Sequence, residues 1–123
     1  MAMGILGTPA VRWNTRADLF EQLESARNYL ETADLSEVSV KQAAQEAGLS
    51  LHHFIRLFHE RYAKSPLAYL NERRRKIAEK LIGESDTSVT EIGLEVGFES
   101  ASAFGRWFKQ EFGMTPTTYR KAK

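Results

Sequence analysis

Cysteine is absent from the chain. That excludes disulfides, zinc–thiolate sites and a cysteine nucleophile, and it suits a reducing compartment, so a cytoplasmic location is expected. No apolar run approaches the roughly 20 residues that a membrane span needs, so no membrane partner is expected. The opening stretch "MAMGILGTPAVRWNTRA" lacks the basic patch and long apolar segment of a signal peptide. Residues 1–17 are therefore expected to be a lead-in or an expression remnant. Strand patterning is missing too: nowhere do polar and apolar residues alternate between turn residues. No nucleophile elbow, phosphate-cradling glycine loop or paired-carboxylate motif occurs, so no catalytic residue and no cofactor is assigned.

Histidine is scarce, with three in 123 residues, but all three stand close together as His52, His53 and His59. A metal site fails on helical geometry. His52 and His59 share a face but lie about 10.5 Å apart along the axis, while His52 and His53 diverge by about 100°. The expected role of His52 and His59 is as groove or phosphate donors, which predicts tighter binding to a polyanion as pH falls from about 8 to 6.

With 42% hydrophobic and 27% charged residues the composition is that of an ordinary globular protein. The net charge of +1 is unevenly spread. Residues 1–39 hold three arginines against six carboxylates; the remainder holds fourteen basic against ten acidic residues. An anionic partner for the second part is mildly favoured.

Helical periodicity runs throughout. "DLFEQLESARNYLETA", from Asp18, places Leu19, Leu23, Ala26 and Leu30 on one face. Ser39 and Gln42 form a capping box for a helix that Gly48 ends, and Ser50 caps the next, to about Arg61. Ser65-Pro66 opens a long helix to Gly83 with Leu70, Ile77 and Leu81 as its expected inner stripe. The programme then repeats: Ser88 with Glu91, Gly97, Ser100, and Thr115-Pro116. "FIRLFHERYAKSPLAY" (54–69) and "FGRWFKQEFGMTPTTY" (104–119) align without a gap, matching Phe54, Arg56, Phe58, Pro66 and Tyr69 to Phe104, Arg106, Phe108, Pro116 and Tyr119. The chain is thus expected to be all-α, with two helix–turn–helix units, about 39–62 and 88–112, joined by a long linker helix, about 66–83.

On the helix after Gly48, Phe54, Leu57 and Phe58 define a buried side, leaving His52, Ile55, Arg56 and His59 outward. In the second copy Phe104, Trp107 and Phe108 turn inward, and Ser102, Gly105, Arg106 and Lys109 outward. A helix held so, with a polar outward face, has the form that enters a DNA major groove. Arginine there can pair bidentately with guanine. The capped amino ends at Ser39, Val40 and Lys41, and at Ser88 and Val89, offer N–H groups and a positive dipole end to phosphates. Helical hairpins with outward arginines also occur in proteins that touch no DNA, so an adaptor that docks a protein such as RNA polymerase stays open. "RRRK" (73–76) is read as a solvated helix face rather than a phosphate cluster, since four consecutive residues cannot share a face.

The stretches "VKQAAQEAGLSLHHFIRLFHERYAKSPLAYLNERRRKIAEKL" and "VTEIGLEVGFESASAFGRWFKQEFGMTPTTYRK" resemble the DNA-binding domain of the AraC/XylS family of bacterial transcription regulators, over residues 18 to 121. The resemblance implies a seven-helix domain in residues 18–123 whose two reading helices enter successive major-groove segments of double-stranded DNA, about 34 Å apart. By that resemblance His52, Ile55 and Arg56 meet base edges in one half-site, and Ser102 and Arg106 in the other. His59 and Lys109 face the backbone. It also implies that the chain, with both units in tandem, binds as a monomer, unless a separate sensor domain supplies oligomerisation.

Overall fold

A computed structural model describes residues 16–122. Among them lie seven helices and no strand: α1 (Arg16–Thr32), α2 (Val40–Ala47), α3 (Leu51–Tyr62), α4 (Pro66–Glu84), α5 (Val89–Glu95), α6 (Ala101–Phe112) and α7 (Pro116–Ala122). The all-α, seven-helix expectation holds. The first helix starts at Arg16, two residues ahead of Asp18; the rest of the expected lead-in lies outside the described residues.

Helix starts follow from hydroxyl caps. Ser39, Ser50, Ser65, Ser88 and Ser100 each accept a backbone N–H three residues on. One orphan donor of the first turn is satisfied each time. Thr115 does the same for α7, accepting from the Thr118 N–H at 3.1 Å.

The fold uses one arrangement twice. α1 packs against α2, α3 and α4, and α4 in turn packs against α5 and α7. Helix α4 therefore serves the second unit much as α1 serves the first. Tyr69 donates its hydroxyl proton to Glu31 of α1, and Tyr119 donates to Glu79 of α4 at 2.7 Å. Beneath each outward face lies an aromatic stack. Phe54, Phe58 and Tyr69 fill one; Phe104, Phe108 and Tyr119 fill the other, with neighbouring centroids 5.5–5.8 Å apart. All four phenylalanines are fully buried.

Two expectations for α4 change. Its fully buried stripe is Leu70, Ala78 and Ile82, whereas Ile77 and Leu81 are only partly covered. The four-residue spacing passes through Arg74, whose Nε donates to the Val96 carbonyl at 2.9 Å. Nor are the arginines of "RRRK" a solvated face. Arg73 donates to the carbonyls of Leu30 and Ala33 at 2.8 and 2.6 Å, closing the end of α1. Arg75 pairs with Glu111 at 3.1 Å and lies over the Phe112 ring. Consecutive residues on a helix point 100° apart, so three adjacent arginines reach three different elements.

Candidate nucleic-acid interface

α3 and α6 are each twelve residues long, start at a serine cap and sit behind a turn containing a left-handed glycine. In α3, Phe54 and Phe58 are buried while His52, Ile55, Arg56 and His59 are exposed. In α6, Phe104 and Phe108 are buried while Ser102, Arg106 and Lys109 are exposed and Gly105 is half-buried. Each outward face thus carries arginine at the same register, two residues after its first phenylalanine.

Arg56 is engaged at 3.5 Å by Glu60, one turn along the same helix. Both side chains are more than half exposed, at 54% and 61%. Such a pair contributes only tenths of a kcal/mol in water. It therefore does not prevent the guanidinium from turning to a stronger bidentate acceptor.

Apart from His59 and Lys109, in the last turns of α3 and α6, the expected backbone-contact residues occupy helix amino ends. Ser39, Lys41 and Ser88 are exposed, and Val40 and Val89 are half-buried at the first positions of α2 and α5. The Ser39 hydroxyl is committed to the Gln42 N–H at 3.0 Å, and that of Ser88 to the Glu91 N–H at 3.1 Å. Among the described residues no group of three or more His, Cys, Asp or Glu is arranged to hold a metal ion. No helix there is long and apolar enough to cross a membrane.

Sequence reasoning missed Leu51, which is 44% exposed at the first position of α3, one turn before Ile55 at 39%. Together with Val38, Val40 and Leu67 they line a shallow groove bordered by Ser39 and Lys41. The signal available was the repeat itself, which sets Leu51 opposite Ala101 and Ile55 opposite Gly105. The first copy is apolar where the second is bare.

A family model described as a helix-turn-helix domain matches residues 43–122. The chain is 35% identical over 101 residues to the HTH-type transcriptional regulator ExsA of Pseudomonas aeruginosa, an overlap of 82% of this chain and 36% of that protein. It thus spans just over a third of that regulator's length. A solved transcriptional regulator from Chromobacterium violaceum, described as containing an AraC-type DNA-binding domain, superposes with a TM-score of 0.69 at 28% identity, covering 85% of this chain and 94% of that one. The DNA-binding domain of AdpA, a global transcriptional factor solved in complex with a target DNA, superposes at 0.68 with 30% identity, covering 85% and 91%. The repeat, the paired serine caps and these likenesses agree: the chain belongs to the AraC/XylS family, of which it is the helix-turn-helix domain.

Proposed function

We propose that this chain reads double-stranded DNA sequence-specifically as the DNA-binding part of a bacterial transcription regulator. The family is one of regulators rather than enzymes. The observation that carries the reading is the matched pair of outward faces, each with an exposed arginine over a sealed aromatic layer. The likeness to AdpA's domain, solved on its target DNA, supports it.

In this reading α3 reads one half-site through His52, Ile55 and Arg56, and α6 reads the other through Ser102 and Arg106. His59 and Lys109 meet phosphates, as do the amino ends at Ser39, Val40, Lys41, Ser88 and Val89. The site is asymmetric and about two turns long. This part of the protein binds it as a monomer, because both units belong to one chain, unless a separate sensor domain supplies oligomerisation. A DNA-binding regulator of this family accords with the cytoplasm. Contact with RNA polymerase would use surface that the duplex leaves free.

Selection from a random duplex pool, followed by titration of the winning site at several salt concentrations, tests this. The logarithm of the affinity should fall with the logarithm of salt by about 0.9 per phosphate neutralised. Arg56→Ala should cost about 1–3 kcal/mol and relax preference at one base pair, whereas Lys109→Ala should weaken all sequences evenly. A folded Arg56→Ala protein with unchanged affinity and preference would contradict the assignment of α3.

A further inference from the structure

We propose that Leu51 and Ile55 form an apolar reading pair on α3 that seats thymine methyl groups in the first half-site. This rests on the DNA-reading function above and specifies what the first unit reads.

The argument begins with the duplication. Aligning Phe54 with Phe104 sets Leu51 against Ala101 and Ile55 against Gly105. At Gly105 an added Cβ would meet nothing within 4 Å. The scaffold of the second copy therefore stands without any side chain at that position, and its packing makes no demand there. In the first copy the same two positions carry large aliphatic groups that remain 44% and 39% exposed. A lone exposed leucine is ordinary. Two large aliphatics one turn apart, on a face also bearing His52 and Arg56, form a feature that only an external surface would use.

The chemistry of the surroundings selects that surface. Among the described residues no carboxylate lines the groove beside Leu51 and Ile55; it is bordered instead by Ser39 and the exposed Lys41. A polyanion fits such a border better than an acidic or purely apolar protein surface does. On the major-groove edges of duplex DNA the apolar feature is the C5-methyl of thymine. Leu51 and Ile55 stand about 6 Å apart along the axis, which spans nearly two base-pair steps of about 3.4 Å. They also lie in the first half of α3, the part of a reading helix that contacts base edges. Arg56, the next residue after Ile55 and turned about 100° from it on the exposed side of α3, supplies the polar partner for a neighbouring guanine.

Deoxyuridine keeps thymine's pairing and lacks only the methyl, so it isolates the contact. In the selected duplex, the half-site whose preference Arg56→Ala relaxes is the one read by α3. Each thymine in it is replaced singly by deoxyuridine, and affinity is measured by fluorescence anisotropy. Wild type should lose about threefold to fivefold at one or two of these positions, as expected for one methyl-sized apolar contact each. Substitutions in the other half-site should be neutral. Ile55→Ala and Leu51→Ala, with circular dichroism confirming the fold, should each bind thymine and deoxyuridine equally at one of the sensitive positions. The proposal is overturned if every deoxyuridine in the first half-site is neutral, or if both variants keep the wild-type discrimination. Variants with full DNA affinity and discrimination but impaired transcription activation would assign the groove to a protein partner, overturning it equally. Failure to bind any duplex would instead remove the DNA-reading function itself, a separate outcome.

Discussion

Arg74 shows how little a residue's type reveals of its task. It falls on the buried stripe of α4, at the four-residue spacing between Leu70 and Ala78, and its guanidinium serves a backbone carbonyl at Val96 and the Asn71 side chain rather than any anion. Arg27 has the opposite setting: Glu24 accepts from it at 2.8 Å, and Tyr62 donates its hydroxyl proton to the same carboxylate. The Arg27 hydrogen bond, and then that of Tyr62, hold the Glu24 carboxyl below its usual range. Burial, and then Glu24, push the Tyr62 phenol up to about 12. A carboxyl depressed in the fold stabilises above its ordinary value of 4.5 and loses that contribution as pH falls. A phenol raised in the fold stabilises below its ordinary value of 10 and loses that contribution as pH climbs toward about 12. Tyr62→Phe should therefore lower stability at neutral pH and flatten its decline between pH 10 and 12, read from urea unfolding across pH. Some alkaline slope should persist, because the Tyr69 and Tyr119 phenols are raised too. An unchanged slope would mean that the Tyr62 phenol is not raised in the fold.

The two copies of one element make each other's controls. α3 ends at Ala63 with φ +64, and α6 ends at the aligned Gly113 with φ +81. Alanine in the left-handed region is strained by its Cβ, and glycine is not. Ala63→Gly should therefore stabilise the protein by about 0.5–1 kcal/mol, despite glycine's extra freedom when unfolded. Chemical denaturation would show it, and a loss of stability would mean that the Ala63 methyl packs usefully. The second contrast lies between α5 and α6. A Cβ at Gly93 would meet Phe104 at 2.9–3.1 Å, so the helices approach too closely for a methyl. Gly93→Ala should cost about 1–3 kcal/mol through overpacking, although alanine is the better helix former. A neutral or raised melting temperature would show that α5 can back away freely. Both sites were half-visible in the sequence: the repeat alignment sets Ala63 against Gly113, but nothing local announces how near Phe104 lies.

At the scale of the whole molecule, the two units are locked by more than α4. A Cβ at Gly97 would come within 2.4 Å of the Leu35 carbonyl oxygen, and the backbone there has φ +99. The loop before α2 therefore rests on the turn before α6, and Arg74, 5.9 Å from the Phe98 ring centroid, packs beside the contact. With Arg73 closing α1 and Arg75 pinned to α6, α4 holds both units in one relative orientation. In the proposed DNA-reading role, two units held so rigidly demand one spacing of half-sites. Each inserted base pair shifts a half-site by about 3.4 Å and rotates it by about a tenth of a turn. Inserting two base pairs between half-sites should therefore lower affinity about tenfold or more, toward the non-specific level, in a mobility-shift titration. Equal binding to both spacings would show that the units move independently.

Read alone, the sequence determined the helices, their capped starts, the glycine-bearing turns, the duplication and the sides of α3 and α6 that turn outward. All of these rest on residues within one or two helical turns of each other, where spacing and local hydrogen bonding decide the outcome. Tertiary structure alone decided that the arginines at 73–75 are anchors and not a solvated face, and that Ala78 and Ile82 displace Ile77 and Leu81 from full burial. It alone set Gly97 against Leu35 and left Leu51 uncovered. Those outcomes depend on which surface arrives from 20 to 60 positions away in the chain. A guanidinium meets carbonyls or water according to that arrival, which no local pattern encodes.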